Sequence, residues 1–177
     1  MNKKGISTLV IVAIVVIIIV VAGIAAYVLY SGGGGEPEAT PTPTSSSPVE
    51  GATSMRFDVN ATTESGVEID HFTAKNLGTS NVLLRVDQTD AQGTNFIYLM
   101  NETAQTAWAN FGGEWTDDSA NFDAYYWSSP LIGKVALDNY MAALADWSGT
   151  GDYTGDSYVI YNIVVNPTLE DSVFQPT

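Results

Sequence analysis

The sequence predicts an α+β fold: one N-terminal transmembrane helix, then an antiparallel sheet that carries a helical insertion. Three observations predict it. An uncharged apolar run fills Leu9 to Leu29. Apolar and polar residues then alternate with period 2 in short stretches separated by glycine- and asparagine-rich turns. Between residues 117 and 147 the apolar spacing becomes helical, and a Val/Ile/Tyr stretch follows. The chain divides into an anchor (1–30), a linker (31–48) and an extracellular α+β domain (49–177).

Crossing about 30 Å of hydrocarbon takes roughly 20 helical residues, because every backbone N–H and C=O must be paired inside the lipid. The run LVIVAIVVIIIVVAGIAAYVL is long enough. Lys3 and Lys4 precede it and no basic residue follows until Arg56. The positive-inside rule therefore puts the N-terminus in the cytoplasm and everything after Tyr30 outside. A cleaved secretory signal would have an apolar core of only about 7–15 residues. The next segment, SGGGGEPEATPTPTSSSP, combines a glycine hinge with a Pro/Thr/Ser tract and has nothing with which to build a core.

The domain begins with strands. Met55, Phe57, Val59 and Ala61 alternate with Arg56, Asp58, Asn60 and Thr62. After the turn Glu64-Ser65-Gly66, a second strand covers Val67 to Lys75, with Val67 and Ile69 opposing Glu68 and Asp70. The third covers Val82 to Thr89, with Val82, Leu84 and Val86 on one face. A fourth covers Phe96 to Met100, a fifth Ala104 to Asn110, and a short sixth Glu114-Trp115. Asp117, Asp118 or Ser119 can cap a helix that carries Phe122, Tyr125 and Tyr126. Pro130 ends it. A second amphipathic helix places Leu131, Val135, Leu137, Tyr140, Met141, Leu144 and Trp147 on one face, and Gly149, Gly151 and Gly155 end it. Tyr158 to Val165 is the last strand, and Asn166-Pro167 stops it.

Composition narrows the function. The chain has 177 residues and no cysteine, so neither disulfides nor thiol chemistry are available. Its net charge of −14 repels phosphate backbones and excludes nucleic acid as a partner. His71, in a strand beside Asp70, is the only histidine; a zinc site would need more. No G-x-S-x-G elbow is present. Asp146, Asp152 and Asp156 flank a glycine-rich loop, but outside the calcium-loop register. Nothing calls for a cofactor, a metal or an enzyme. Asn60-Ala61-Thr62 and Asn101-Glu102-Thr103 are glycosylation sequons at Asn60 and Asn101.

Two resemblances add to this. Lys3-Lys4-Gly5-Ile6-Ser7-Thr8 before an unbroken apolar helix resembles the class III, type IV pilin-like signal of archaeal surface proteins. It implies cleavage between Gly5 and Ile6. Where many pilins carry a glutamate five residues into the mature helix, this chain has Val10. In the domain, Phe72-Thr73-Ala74-Lys75-Asn76-Leu77-Gly78 precedes Leu84-Arg85-Val86. Asn95-Phe96-Ile97-Tyr98, Ala107-Trp108 and Gly112-Gly113-Glu114-Trp115 follow, and the tail reads Asn166-Pro167…Asp171-Ser172-Val173-Phe174. In this order the motifs resemble the LolA/LolB-type lipoprotein carriers. The resemblance implies a curved antiparallel half-barrel, packed on the helical insertion, around an apolar cleft. That cleft would be lined by Phe57, Val59, Leu84, Val86, Phe96, Tyr98 and Trp108. Tyr126, Leu137, Tyr140, Met141 and Leu144 would close over it.

The expected protein is single-pass in the cell membrane, with its C-terminal domain outside. It is non-enzymatic and binds a lipid or another apolar small molecule. The alternative is a pilin-like structural or adhesive subunit assembled through its N-terminal helix.

Overall fold

Eight strands form one antiparallel sheet in the computed structural model, which describes residues 47–177. They are β1 (Ser54–Thr63), β2 (Gly66–Lys75), β3 (Leu83–Thr89), β4 (Asn95–Asn101), β5 (Thr106–Phe111), β6 (Glu114–Asp117), β7 (Tyr153–Thr154) and β8 (Tyr158–Val165). The first six make a meander. After the helical insertion the chain returns beside β1, giving the order β6-β5-β4-β3-β2-β1-β8-β7. The sheet is curled but unclosed, with β6 and β7 as its two edges.

A bulge in β8 supports the curl. Arg56 pairs with Val164 but Asp58 with Tyr161, so β8 holds one residue more than β1 across this step. Asn162 sits there at φ 53, a left-handed conformation that asparagine tolerates better than most residues. The extra residue reverses the alternation. Tyr158 and Ile160 face the core before it, and Ile163 and Val165 after it.

Register sorts the inner face into rows. Met55, Ala74, Leu84, Met100 and Ala107 form the first; Phe57, Phe72, Val86, Tyr98 and Ala109 the second. Val59, Asp70, Gln88, Phe96 and Phe111 form the third. The inner residues of β2 are thus Glu68, Asp70, Phe72 and Ala74, while Val67 and Ile69 face outward, Val67 at 51% exposure. The apolar residues of β2 change parity midway, and Phe72 stacked on Phe57 (centroids 5.1 Å apart) fixes which parity is inner.

The insertion is shorter in helix than its spacing predicts. Helix α1 covers Phe122–Tyr126 and α2 covers Lys134–Ala143, with 3₁₀ turns at Ser119–Asn121 and Leu144–Asp146. Trp147 is extended. Gly133 lets the start of α2 approach α1 closely: an added methyl would strike the carbonyl oxygens of Tyr125 and Tyr126. Phe122, Tyr126, Ile132, Ala136, Leu137 and Leu144 bury against the inner rows. Val49 joins this core, and Ser47 Oγ lies 3.5 Å from the Leu144 carbonyl, so packing begins within the last residues of the Pro/Thr/Ser tract. Residues 47–177 belong to one compact unit with its own core, the condition for folding alone.

The tail crosses the outer face and ties successive strands. Asn166 Oδ1 accepts from the Thr53 amide at 2.7 Å, and Ser54 Oγ donates to the Pro167 carbonyl at 2.8 Å. Lys75 Nζ donates to the Leu169 carbonyl at 2.8 Å, Arg85 to that of Val173 at 3.2 Å, and Trp115 Nε1 to that of Thr177 at 3.0 Å. Among the described residues no helix is long and apolar enough to cross a membrane. The apolar run from Leu9 to Leu29, and Gly5 and Ile6, lie outside the described residues.

Candidate functional site

The inner face is where the sequence places a binding cleft, and the helices cover only part of it. Phe57, Val59, Leu84, Val86, Tyr126, Leu137 and Leu144 come together there, each fully buried. Tyr140 and Met141 pack half-buried against them. These side chains occupy the space between sheet and helices, and a ligand there would have to displace them.

Phe96 and Tyr98 lie on the same face, half-buried, with Tyr98 against Tyr125 of α1. Trp108 does not. It pairs with Leu99, which pairs with Arg85, so it stands on the outer face. The inner residues of β5 are Ala107, Ala109 and Phe111. A tryptophan within an alternating strand reads as the inward residue; here the small Ala107 and Ala109 take the inner positions because α1 packs close above them.

The uncovered part of the inner face is aromatic with a carboxyl beneath. Phe111 is 45% exposed and meets Phe96 edge-on at 5.5 Å and Tyr98 at 5.9 Å. Tyr125 meets Tyr98 at 5.7 Å, and its hydroxyl donates to Asp118 Oδ2 at 2.5 Å. On the other side Tyr140 contacts Phe72 and Tyr158. Between these groups lies Asp70, 1% exposed, whose Oδ1 has no hydrogen-bond partner. Burial pushes its carboxyl up from 3.8 to about 7; a hydrogen bond from Gln88 opposes the shift and Glu68 adds to it. Burial also raises the Tyr98 phenol to about 12, with the Asp70 charge as second cause. Tyr140 is raised by burial, then by Asp70. Asp70 is thus within electrostatic reach of both phenols.

The sequence does not single out Asp70 or Phe111. The available signal was the parity conflict within β2, where Phe72 and Ala74 outweigh Val67 and Ile69.

Two open hollows lie elsewhere. One, of about 570 Å³, is lined by Arg56, Asp58, Trp147, the Gly149–Asp152 loop and the β8 bulge. There Asp58 takes His71 Nδ1 at 2.6 Å and Asn162 Nδ2 at 2.6 Å. His71 therefore pairs across the strands with Asp58, and Asp70 points to the opposite face. The other hollow, of about 390 Å³, is lined by Asn60, Thr62 and residues 154–159. Asn60 is on the outer face of β1. Asn101 ends β4, where its Oδ1 accepts from the Ala104 amide at 3.0 Å. Among the described residues no three His, Cys, Asp or Glu side chains converge as a metal site would require.

No family model, no curated protein and no solved structure matches the chain.

Proposed function

We propose that this chain is a membrane-anchored, non-enzymatic binding module of the cell surface. It holds a lipid or another apolar ligand on the uncovered part of the concave sheet face. One observation carries the reading: Phe96, Tyr98 and Phe111 on the sheet and Tyr125 on α1 form a contiguous aromatic array whose outermost member, Phe111, is exposed. A contiguous apolar patch at a surface marks an interaction site, where singly scattered exposed residues do not. The apolar run after Lys3 and Lys4 supplies the anchor in this reading, and the glycine hinge lets the head meet ligands at the bilayer. The resemblance to LolA/LolB-type carriers supports the same ligand class. The single histidine, the lack of cysteine and the lack of a nucleophile elbow favour binding over catalysis.

Each buried CH₂ contributes about 0.8 kcal/mol, so a short alkyl chain on an open face gives micromolar affinity at best. The test is titration of residues 47–177 with fluorescent fatty-acid and isoprenoid probes. Saturable binding that Phe111→Ser weakens is expected. No saturable binding would leave the pilin-like or adhesive reading in its place. Protease treatment of intact cells tests the topology: residues 31–177 should be cut without lysis.

A further inference from the structure

Asp70 presents a problem that the rest of the molecule leaves unsolved. Its carboxyl is buried, one oxygen has no hydrogen-bond partner, and Glu68 lies on the same face two residues away. A buried carboxylate normally has a cation beside it. Among the described residues no cationic side chain hydrogen-bonds to Asp70, and only the His71 charge reaches it, from the opposite face of the sheet. Arg56, His71, Lys75 and Arg85 all stand on the outer face, given the register of β1 to β3. Lys134, on α2, is held by Asp138 at 2.6 Å. An Asn at position 70 would have the same shape without the charge, so the acid is a stability cost with no internal return.

We propose that the aromatic part of the concave face takes a small organic ligand bearing an ammonium group, with the carboxylate of Asp70, buried beneath these rings, as its counter-ion. The inference rests on reading this face as the binding surface, and it names the ligand class. Tyr98 and Tyr140 lie within electrostatic reach of the carboxyl, and an ammonium beside an aromatic ring gains from it. Phe96 and Phe111 seat the apolar part. A net charge of −14 raises the local concentration of cations around the domain. A hard metal ion is a poorer fit, since it wants six to eight oxygens and no three ligating side chains converge among the described residues. The ammonium reaches Asp70 by a rotation of Tyr98, which is half-buried.

The experiment titrates residues 47–177 with octyltrimethylammonium, 1-octanol and octanoate by calorimetry, in 0.5 M sodium chloride to screen the surface charge. Octyltrimethylammonium should bind saturably and at least tenfold more tightly than octanol, with octanoate weakest. Asp70→Asn should bring octyltrimethylammonium to the level of octanol and leave octanol unchanged. Phe111→Ser should weaken all three. If Asp70→Asn does not fold, Tyr98→Leu serves instead; it keeps the apolar bulk, removes a ring face and should lower the preference severalfold. Equal binding of octyltrimethylammonium and octanol, or a preference that survives Asp70→Asn, overturns the ammonium assignment and leaves the apolar site standing. No saturable binding of any probe overturns both.

Discussion

The two ends of the concave face are built from the same five strands and differ in what lies above them. At one end, the row Met55, Ala74, Leu84, Met100 and Ala107 is at most 2% exposed under α1, α2 and Leu144. At the other, the row that begins with buried Val59 passes through Asp70 and Gln88 and ends at Phe111, 45% exposed. The covered end behaves as a core: apolar, interdigitated and without unmet polar groups apart from the Tyr126 hydroxyl. The open end combines aromatics with a carboxyl whose burial favours its neutral form. Where a strand row leaves the shelter of the helices, composition shifts from packing residues to residues that can make specific contacts.

The largest effect that sharpens this comparison is expected at the covered end. Phe57 is fully buried, stacked on Phe72 and edge-on to Tyr140. Phe57→Ala should cost about 3–5 kcal/mol in denaturant unfolding. A loss under about 1 kcal/mol would mean that the covered end is loosely filled, and that the division between core and site is misplaced.

Asp70 comes next, through pH. Its folded value is raised from 3.8 to about 7, so the unfolded chain releases this proton first. The stability it lends is complete below the unfolded value and is lost as pH climbs from about 4 to about 7. Over that window the loss is about 4 kcal/mol, at about 1.4 kcal/mol per unit. Glu68, Tyr98 and Tyr140 face the same space, and Glu68 is also raised by burial, so the informative quantity is the difference between wild type and Asp70→Asn. The variant should lose most of the slope and be the more stable protein at pH 8. Parallel curves would show that Asp70 is ionised and satisfied in the folded state.

Much of the sheet was legible. Strict alternation from Met55 to Ala61 marks β1, and the Val/Ile/Tyr stretch from Tyr158 to Val165 coincides with β8. The site was less legible, for physical reasons. Periodicity reports which residues share a face but not which face is covered. In β2 the apolar residues sit on both parities, and only tertiary pairing with β1 decides between Val67 and Phe72. Trp108 fits an inward reading by size, yet the closeness of α1 admits alanines there. The two-residue β7 carries no pattern to detect, and the tail makes its contacts largely through backbone carbonyls, which any sequence supplies.

That tail gives a smaller effect on the opposite face. Asn166 Oδ1 accepts from the Thr53 amide at 2.7 Å and the Thr53 hydroxyl at 3.2 Å, and its φ is 54. Asn166→Ala should cost about 1–2 kcal/mol, combining lost hydrogen bonds with backbone strain. Asn166→Gly keeps the conformation and should recover the strain component. Equal losses from both would assign the whole effect to the hydrogen bonds.

The smallest stability effect is expected where the binding effect is large. Phe111 is nearly half exposed and touches Phe96 and Tyr98 edge-on. Phe111→Ser removes little buried area, so unfolding should shift by no more than about 0.5–1 kcal/mol. If the open end is a site, the same change should remove much of the apolar contact available to a ligand and weaken octyl-chain probes several-fold. The covered end predicts the reverse pattern, in which Phe57→Ala unfolds the domain and no conservative change alters affinity alone. A Phe111→Ser loss as large as that of Phe57→Ala would make the aromatic array part of the core, and the two ends of the face would then be one.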